Sequence, residues 1–183
     1  MQSQKSKLTT RQLCYIGIFI AIIAACAQIR IDLPGGVPIT LQVWGVALAG
    51  LILGPKNGTI AAAGYVLLGA VGAPVFAGFT GGIGIILRHT GGFILSFPIL
   101  ALLAGLGERK EGIIWTYLGM SAGTVVNWLS GMFFFSAVTG SSLQAAFAAA
   151  VAPFIVVGIV KIAVLPLLSK SLKLALRKAQ LLV

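Results

Sequence analysis

The chain of 183 residues is 58% hydrophobic and only 9% charged, whereas an ordinary soluble domain is roughly 45–50% apolar and 25% charged. Lipid is the expected solvent, and because a bilayer-spanning helix uses roughly 20 apolar residues, the length reads as about six spans in one domain, 1–183, with no separate soluble domain. A net charge of +10 would suggest nucleic acid in a soluble protein, but the cations here stand at the ends of apolar runs, which argues for lipid topology and no nucleic-acid partner.

Lys5, Lys7 and Arg11 precede the first apolar run, 13–29. The arrangement imitates a signal peptide, yet further spans follow at once, so the run is read as a mature first helix. Cys14 and Cys26 both lie on it, roughly 18 Å apart and unable to bridge; without metal or redox spacing they read as small buried apolar residues. The next runs, 39–54 and 58–77, are separated by Gly54, Pro55, Lys56, Asn57 and Gly58. That is a strong turn signal, so spans two and three are expected to form a tight hairpin, the first of them opened by Pro38. Runs at 90–106, 113–138 and 146–168 complete the six, and the tail SKSLKLALRK reads as a basic amphipathic end near anionic lipid.

With an even count both termini share a side. Ten cations fall there: Lys5, Lys7, Arg11, Lys56, Arg109, Lys110, Lys170, Lys173, Arg177 and Lys178, against Arg30 and Arg88 on the other. The positive-inside rule then places both termini in the cytoplasm. The outward side carries two long mixed stretches, RIDLPGGVPITLQ from Arg30 and GFTGGIGIILRHTGG from Gly78. Irregular backbone at membrane depth survives only where protein buries it or where it lines a cavity, so the pair suggests a covered pocket; flexible surface loops are the alternative.

The acids Asp32, Glu108 and Glu111 all fall in expected loops, which disfavours a simple proton-coupled carrier with an intramembrane relay. A sodium site built of carbonyls and hydroxyls stays open. There is no GxxxxGK[ST] phosphate loop, so energy for active transport has to come from a partner. A dinucleotide fold, an HExxH metalloprotease and a His89–Ser130 intramembrane protease all lack their required context, Trp128 standing where the protease motif needs glycine.

Lys161 is the one charge well inside a span. A lysine at the helix centre costs about 2.5–3.5 kcal/mol, so it is expected to face a wet or liganded interior, where an anionic ligand suits it; snorkelling over roughly 10 Å to the edge is the alternative. Arg88 fits either a ligand or a lipid headgroup. Gln42, Thr90 and Asn127 supply polar groups, and Trp44, Tyr65, Phe76, Phe79 and Trp128 flat apolar surface. Such a set can hold a compact polar ring beside a thioether ring, although each aromatic alone suits packing or lipid contact.

Several stretches together, VPITLQ with LAGLILGPKNG, YVLLGAVGAPVFAGFTGG with HTGGF, GTVVNWLSG and PFIVVGIVK, resemble BioY, the biotin-binding S component of energy-coupling-factor (ECF) transporters. The resemblance runs over nearly the whole chain. It implies an all-α, six-helix S component of a prokaryotic cytoplasmic membrane that binds biotin, catalyses no covalent reaction, needs no cofactor, and docks on a transmembrane coupling subunit driven by two ATPase subunits. Ala21 and Ala25, with Ala24 beside them, match the small-residue pattern by which the first helix of such components meets the coupling subunit. Two places depart from the family pattern. Arg88 and His89 stand where it reads GP, and Gly158 stands where PGDxxK has its acid, while Lys161 is kept. Another vitamin, a membrane-embedded enzyme and a purely structural subunit are the rival readings.

Overall fold

A computed structural model describes residues 8–33, 37–110 and 112–179; Lys5, Lys7 and Glu111 lie outside them. Helix α1 covers Thr10–Gln28, opened by a capping box in which Thr9 and Gln12 satisfy each other's backbone N–H groups. Two short antiparallel strands follow, β1 (Arg30–Ile31) and β2 (Ile39–Thr40). Pro38 therefore leads into a strand instead of opening a helix.

The expected spans two and three form two helical arms, together α2 (Gln42–Ala70), that meet at a break where Gly54 has φ 78°, ψ 177°. Only glycine tolerates that backbone, and Pro55 restarts the helix without needing the N–H that the break removes. The second arm turns back onto the first: a Cβ on Gly58 would lie 2.6 Å from the Gly50 Cα. This is the expected hairpin in tighter form, with its second arm ending at residue 70 and not 77.

Next come α3 (Ile83–Ile86), α4 (Gly91–Leu95) and α5 (Phe97–Arg109). The single run expected at 90–106 is split at Ser96 because Pro98, in the first turn of α5, has no N–H to continue the ladder. α6 (Ile113–Thr139) ends on Gly140 in the left-handed conformation. The last run is also divided, into α7 (Leu143–Ala150) and α8 (Ala152–Lys178), with Pro153 in the first turn of α8. The basic tail is the continuation of α8.

Among the described residues four helices, α1, α2, α6 and α8, are long and apolar enough to cross a membrane. α2 and α5 form the centre. Gly50 meets the Ala101 backbone and Gly105 meets Pro55, so both arms of α2 approach α5 at distances that a side chain would prevent. α1, α6 and α8 pack around them and turn large apolar residues such as Ile18, Val125, Phe133, Ile159 and Leu167 outward. A helical bundle with this much exposed apolar surface suits lipid and not water.

Glu108 is not in a loop as expected: it lies in the last turn of α5, where one oxygen accepts from Lys173 Nζ at 2.8 Å and the other from Thr116 Oγ1 at 2.8 Å. The carboxylate thus ties α5 to α6 and α8 at the end of the bundle where Gly54 turns. Pairing with Lys173 is what makes its burial tolerable.

Candidate functional site

At the opposite end lies a cavity of about 240 Å³. Both mixed stretches wall it, Arg30 and residues 37–40 from the first, Thr80, Ile85, Arg88, His89 and Thr90 from the second. The remaining walls come from the start of α2, from Phe93, Ile94 and Phe97, from Asn127 and Trp128 on α6, and from Phe154, Val157, Gly158 and Lys161 on α8.

Eight of the ten expected ligand residues line it: Gln42, Trp44, Phe76, Arg88, Thr90, Asn127, Trp128 and Lys161. Two do not. Tyr65 is fully buried beneath the cavity wall, donates its hydroxyl to the Val75 carbonyl at 2.9 Å and packs edge-on against Phe76, so it supports the wall from behind. Phe79 is 72% exposed at φ 54° with its ring turned away. Tight turns place a residue's neighbours and not always the residue itself.

Lys161 is 3% exposed and has neither a carboxylate nor a hydrogen-bond partner among the described residues. It does not snorkel. Two further donors are buried without a partner, Gln42 Nε2 and Trp44 Nε1. Asn127 spends both Nδ2 bonds on the chain break between α4 and α5, to Phe93 O at 3.0 Å and Ser96 Oγ at 2.7 Å, which leaves Oδ1 as its unused acceptor. Arg30, Arg88, His89 and Lys161 all stand in the wall, and no acid does among the described residues. Asp32 pairs with Arg30 at 3.4 Å but lies outside the lining. A ligand for this cavity brings negative charge and acceptors to one part of it and an apolar body to the rest.

The apolar surface is held by glycines. The Phe76 ring lies on Gly69 and the Phe93 ring on Gly131, each where a Cβ would collide. Gly158 serves Trp128 in the same way: the indole edge occupies the space that a side chain at 158 would need, with Cη2 at 2.8 Å from a Cβ built there. Any side chain at 158 would have to displace this indole. Ser130, weighed as a nucleophile, donates to the Gly92 carbonyl at 2.8 Å and joins α6 to α4.

The BioY family model matches residues 1–178. The chain belongs to the BioY family. It is 42% identical, over 91% of its length and 98% of the relative's, to a probable biotin transporter BioY of Pyrococcus horikoshii. It is 40% identical, over 89% of its length and 96% of the relative's, to the biotin transporter BioY of Thermotoga maritima. Among solved structures it superposes on the S-component for biotin from an ECF-type ABC transporter with a TM-score of 0.79 at 24% identity, covering 91% of this chain and 95% of that one. The S-component fold is therefore shared.

Sequence reasoning missed Phe93, Phe154, Thr80 and Arg30 of this BioY-family cavity. Phe93 and Phe154 face each other with ring centroids 5.9 Å apart; nothing in an apolar run distinguishes such a ring from its lipid-facing neighbours. The expected partner face is itself divided. Ala21 and Ala25 are exposed on α1, whereas Ala24 is half-buried against the core.

Proposed function

We propose that this chain is the biotin-binding S component of a biotin uptake system in a prokaryotic cytoplasmic membrane, a binding subunit and not an enzyme. The observation that carries it is Lys161, buried in the wall of the cavity with no carboxylate of its own, in a chain whose relatives are biotin transporters. A ligand carboxylate completes that lysine, with Arg88 nearby in the wall. Gln42 Nε2, Trp44 Nε1 and Asn127 Oδ1 then offer donors and an acceptor to a ureido ring, and the aromatic walls take the thioether ring and the chain.

The same reading has six crossings: α1, the two arms of α2, the α4–α5 segment, α6 and α8, with both termini cytoplasmic as the cation count requires. Energy comes from a transmembrane coupling subunit and two ATPase subunits, and the exposed Ala21 and Ala25 of α1 provide the close-approach face. A second reading, another anionic vitamin on this fold, is favoured by Gly158, because the family's acid there has given way to the Trp128 edge.

A thermal-shift panel of vitamins on detergent-purified protein separates the two. Biotin at 100 times its dissociation constant should stabilise the protein by about 2.7 kcal/mol. A shift with another vitamin and none with biotin would transfer the assignment to that vitamin.

A further inference from the structure

The segment from Val75 to Thr80 contributes Phe76, Ala77 and Thr80 to the cavity wall, yet it holds itself in place with little internal structure. A bridge between Phe76 and Thr80 closes it into a small turn, and Gly78 within that turn has a φ of 73°. Beyond the buried Phe76 ring seated on Gly69, what ties the turn's backbone to α1 is the side chain of Gln28, the last residue of that helix. Its Nε2 lies 3.2 Å from Phe76 O and 3.4 Å from Val75 O, as well as 2.9 Å from Ala24 O on its own helix, and its Oε1 accepts from the Phe79 N–H at 2.9 Å.

One amide therefore grips both sides of the turn, donating to its incoming strand and accepting from its tip. The bond from Phe79 falls at a residue with a φ of 54°, next to Gly78 in the same turn, and the Phe79 side chain is exposed. Tyr65 supplies a second attachment, a single bond to Val75 O at 2.9 Å.

We propose that Gln28 is a positioning residue, the latch that keeps the 75–80 turn closed over the cavity and so sets how fast the ligand exchanges. The inference rests on the cavity being the ligand site. Gln28 does not line the cavity, so it acts through the turn and not on the ligand. Because Gln28 ends a helix that runs unbroken from Thr10, a displacement of α1 relative to the turn would strain the latch.

The test compares wild type, Gln28→Leu, and Gln28→Met, the last keeping an unbranched stem of similar length should the first fold poorly. Hydrogen–deuterium exchange of the peptide spanning 75–82 is measured without ligand, and dissociation of radiolabelled biotin is measured alongside. Loss of the latch should speed exchange in this peptide and biotin release each by roughly tenfold, the weight of one net hydrogen bond, with at most a correspondingly small fall in the melting temperature of the empty protein. A merely structural role would lower the melting temperature while leaving the folded fraction with the wild-type release rate. Exchange in 75–82 unchanged in both variants overturns the latch, and so does faster exchange with unaltered biotin release. If wild type fails to bind biotin at all, the functional assignment falls, and the exchange measurement still decides whether Gln28 holds the turn.

Discussion

Helix α8 carries two sheltered lysines, Lys161 and Lys173, and their surroundings differ in one respect. Lys173 meets Glu108 at 2.8 Å, and Glu108 also accepts from Thr116, so the charge is answered within the chain. Lys161 is the more deeply buried, at 3% exposure, and nothing in the described chain answers it. A desolvated ammonium with its carboxylate fixes helices to one another; one without is costly unless something from outside completes it. The same side chain therefore marks structure at one end of the bundle and a site at the other. The buried side-chain donors left without a partner among the described residues, Gln42 Nε2 and Trp44 Nε1, are both on residues of the cavity wall, while at the Gly54 end an acceptor, Asn57 Oδ1, is left so.

This contrast breaks if the two lysines respond alike to substitution. The largest effect is expected at Lys161: replacement by Met should weaken biotin roughly 10- to 150-fold, the loss of a charge-assisted contact worth about 1.5–3 kcal/mol. The empty protein should be no less stable, because no internal pair is broken. Isothermal titration and a melting curve on the same preparation check both halves.

Gly158 sharpens the cavity side. A Cβ at this position collides with the Trp128 edge, so Gly158→Ala should displace the indole, lower stability by an overpacking penalty of about 1–3 kcal/mol, and weaken biotin binding. Trp128 fluorescence, read with and without biotin, should change in the empty variant as well. An Ala variant with wild-type affinity and emission would mean that the wall does not depend on this glycine.

The smallest effect belongs to the other end. Glu108→Gln keeps an acceptor for Thr116 but removes the charge facing Lys173, and should lower stability by about 1 kcal/mol while leaving biotin affinity unchanged. Denaturation in a graded detergent series reads the first and titration the second. Loss of affinity in this variant would show that the two ends are not independent.

The sequence made this division partly visible. Lys161 stood out because a charge inside a long apolar run is expensive wherever it points, and the two mixed outward stretches announced a cavity because lipid does not tolerate open backbone. The hairpin at Gly54 was legible from its turn residues. The splits at Ser96 and Val151 do not show in the apolar runs, which continue across both, and only the missing N–H groups of Pro98 and Pro153 carry the signal. Tyr65 and Phe79 were placed in the site by residue type alone, and only the turn at 76–80 decides that one supports the wall and the other leaves it. Gln28 gave no sign at all: a lone amide at a helix end has many uses, and its role depends on residues 47 and more positions away.

The claim that Lys161 answers the ligand's carboxylate is tested most directly by titrating biotin and biotin methyl ester into wild type and Lys161→Met at matched salt. Wild type should bind the acid more tightly than the ester by the same 10- to 150-fold range, and the variant should bind the two about equally. If Lys161→Met keeps the wild-type preference for the free acid, the carboxylate is held elsewhere and the account of this lysine is wrong.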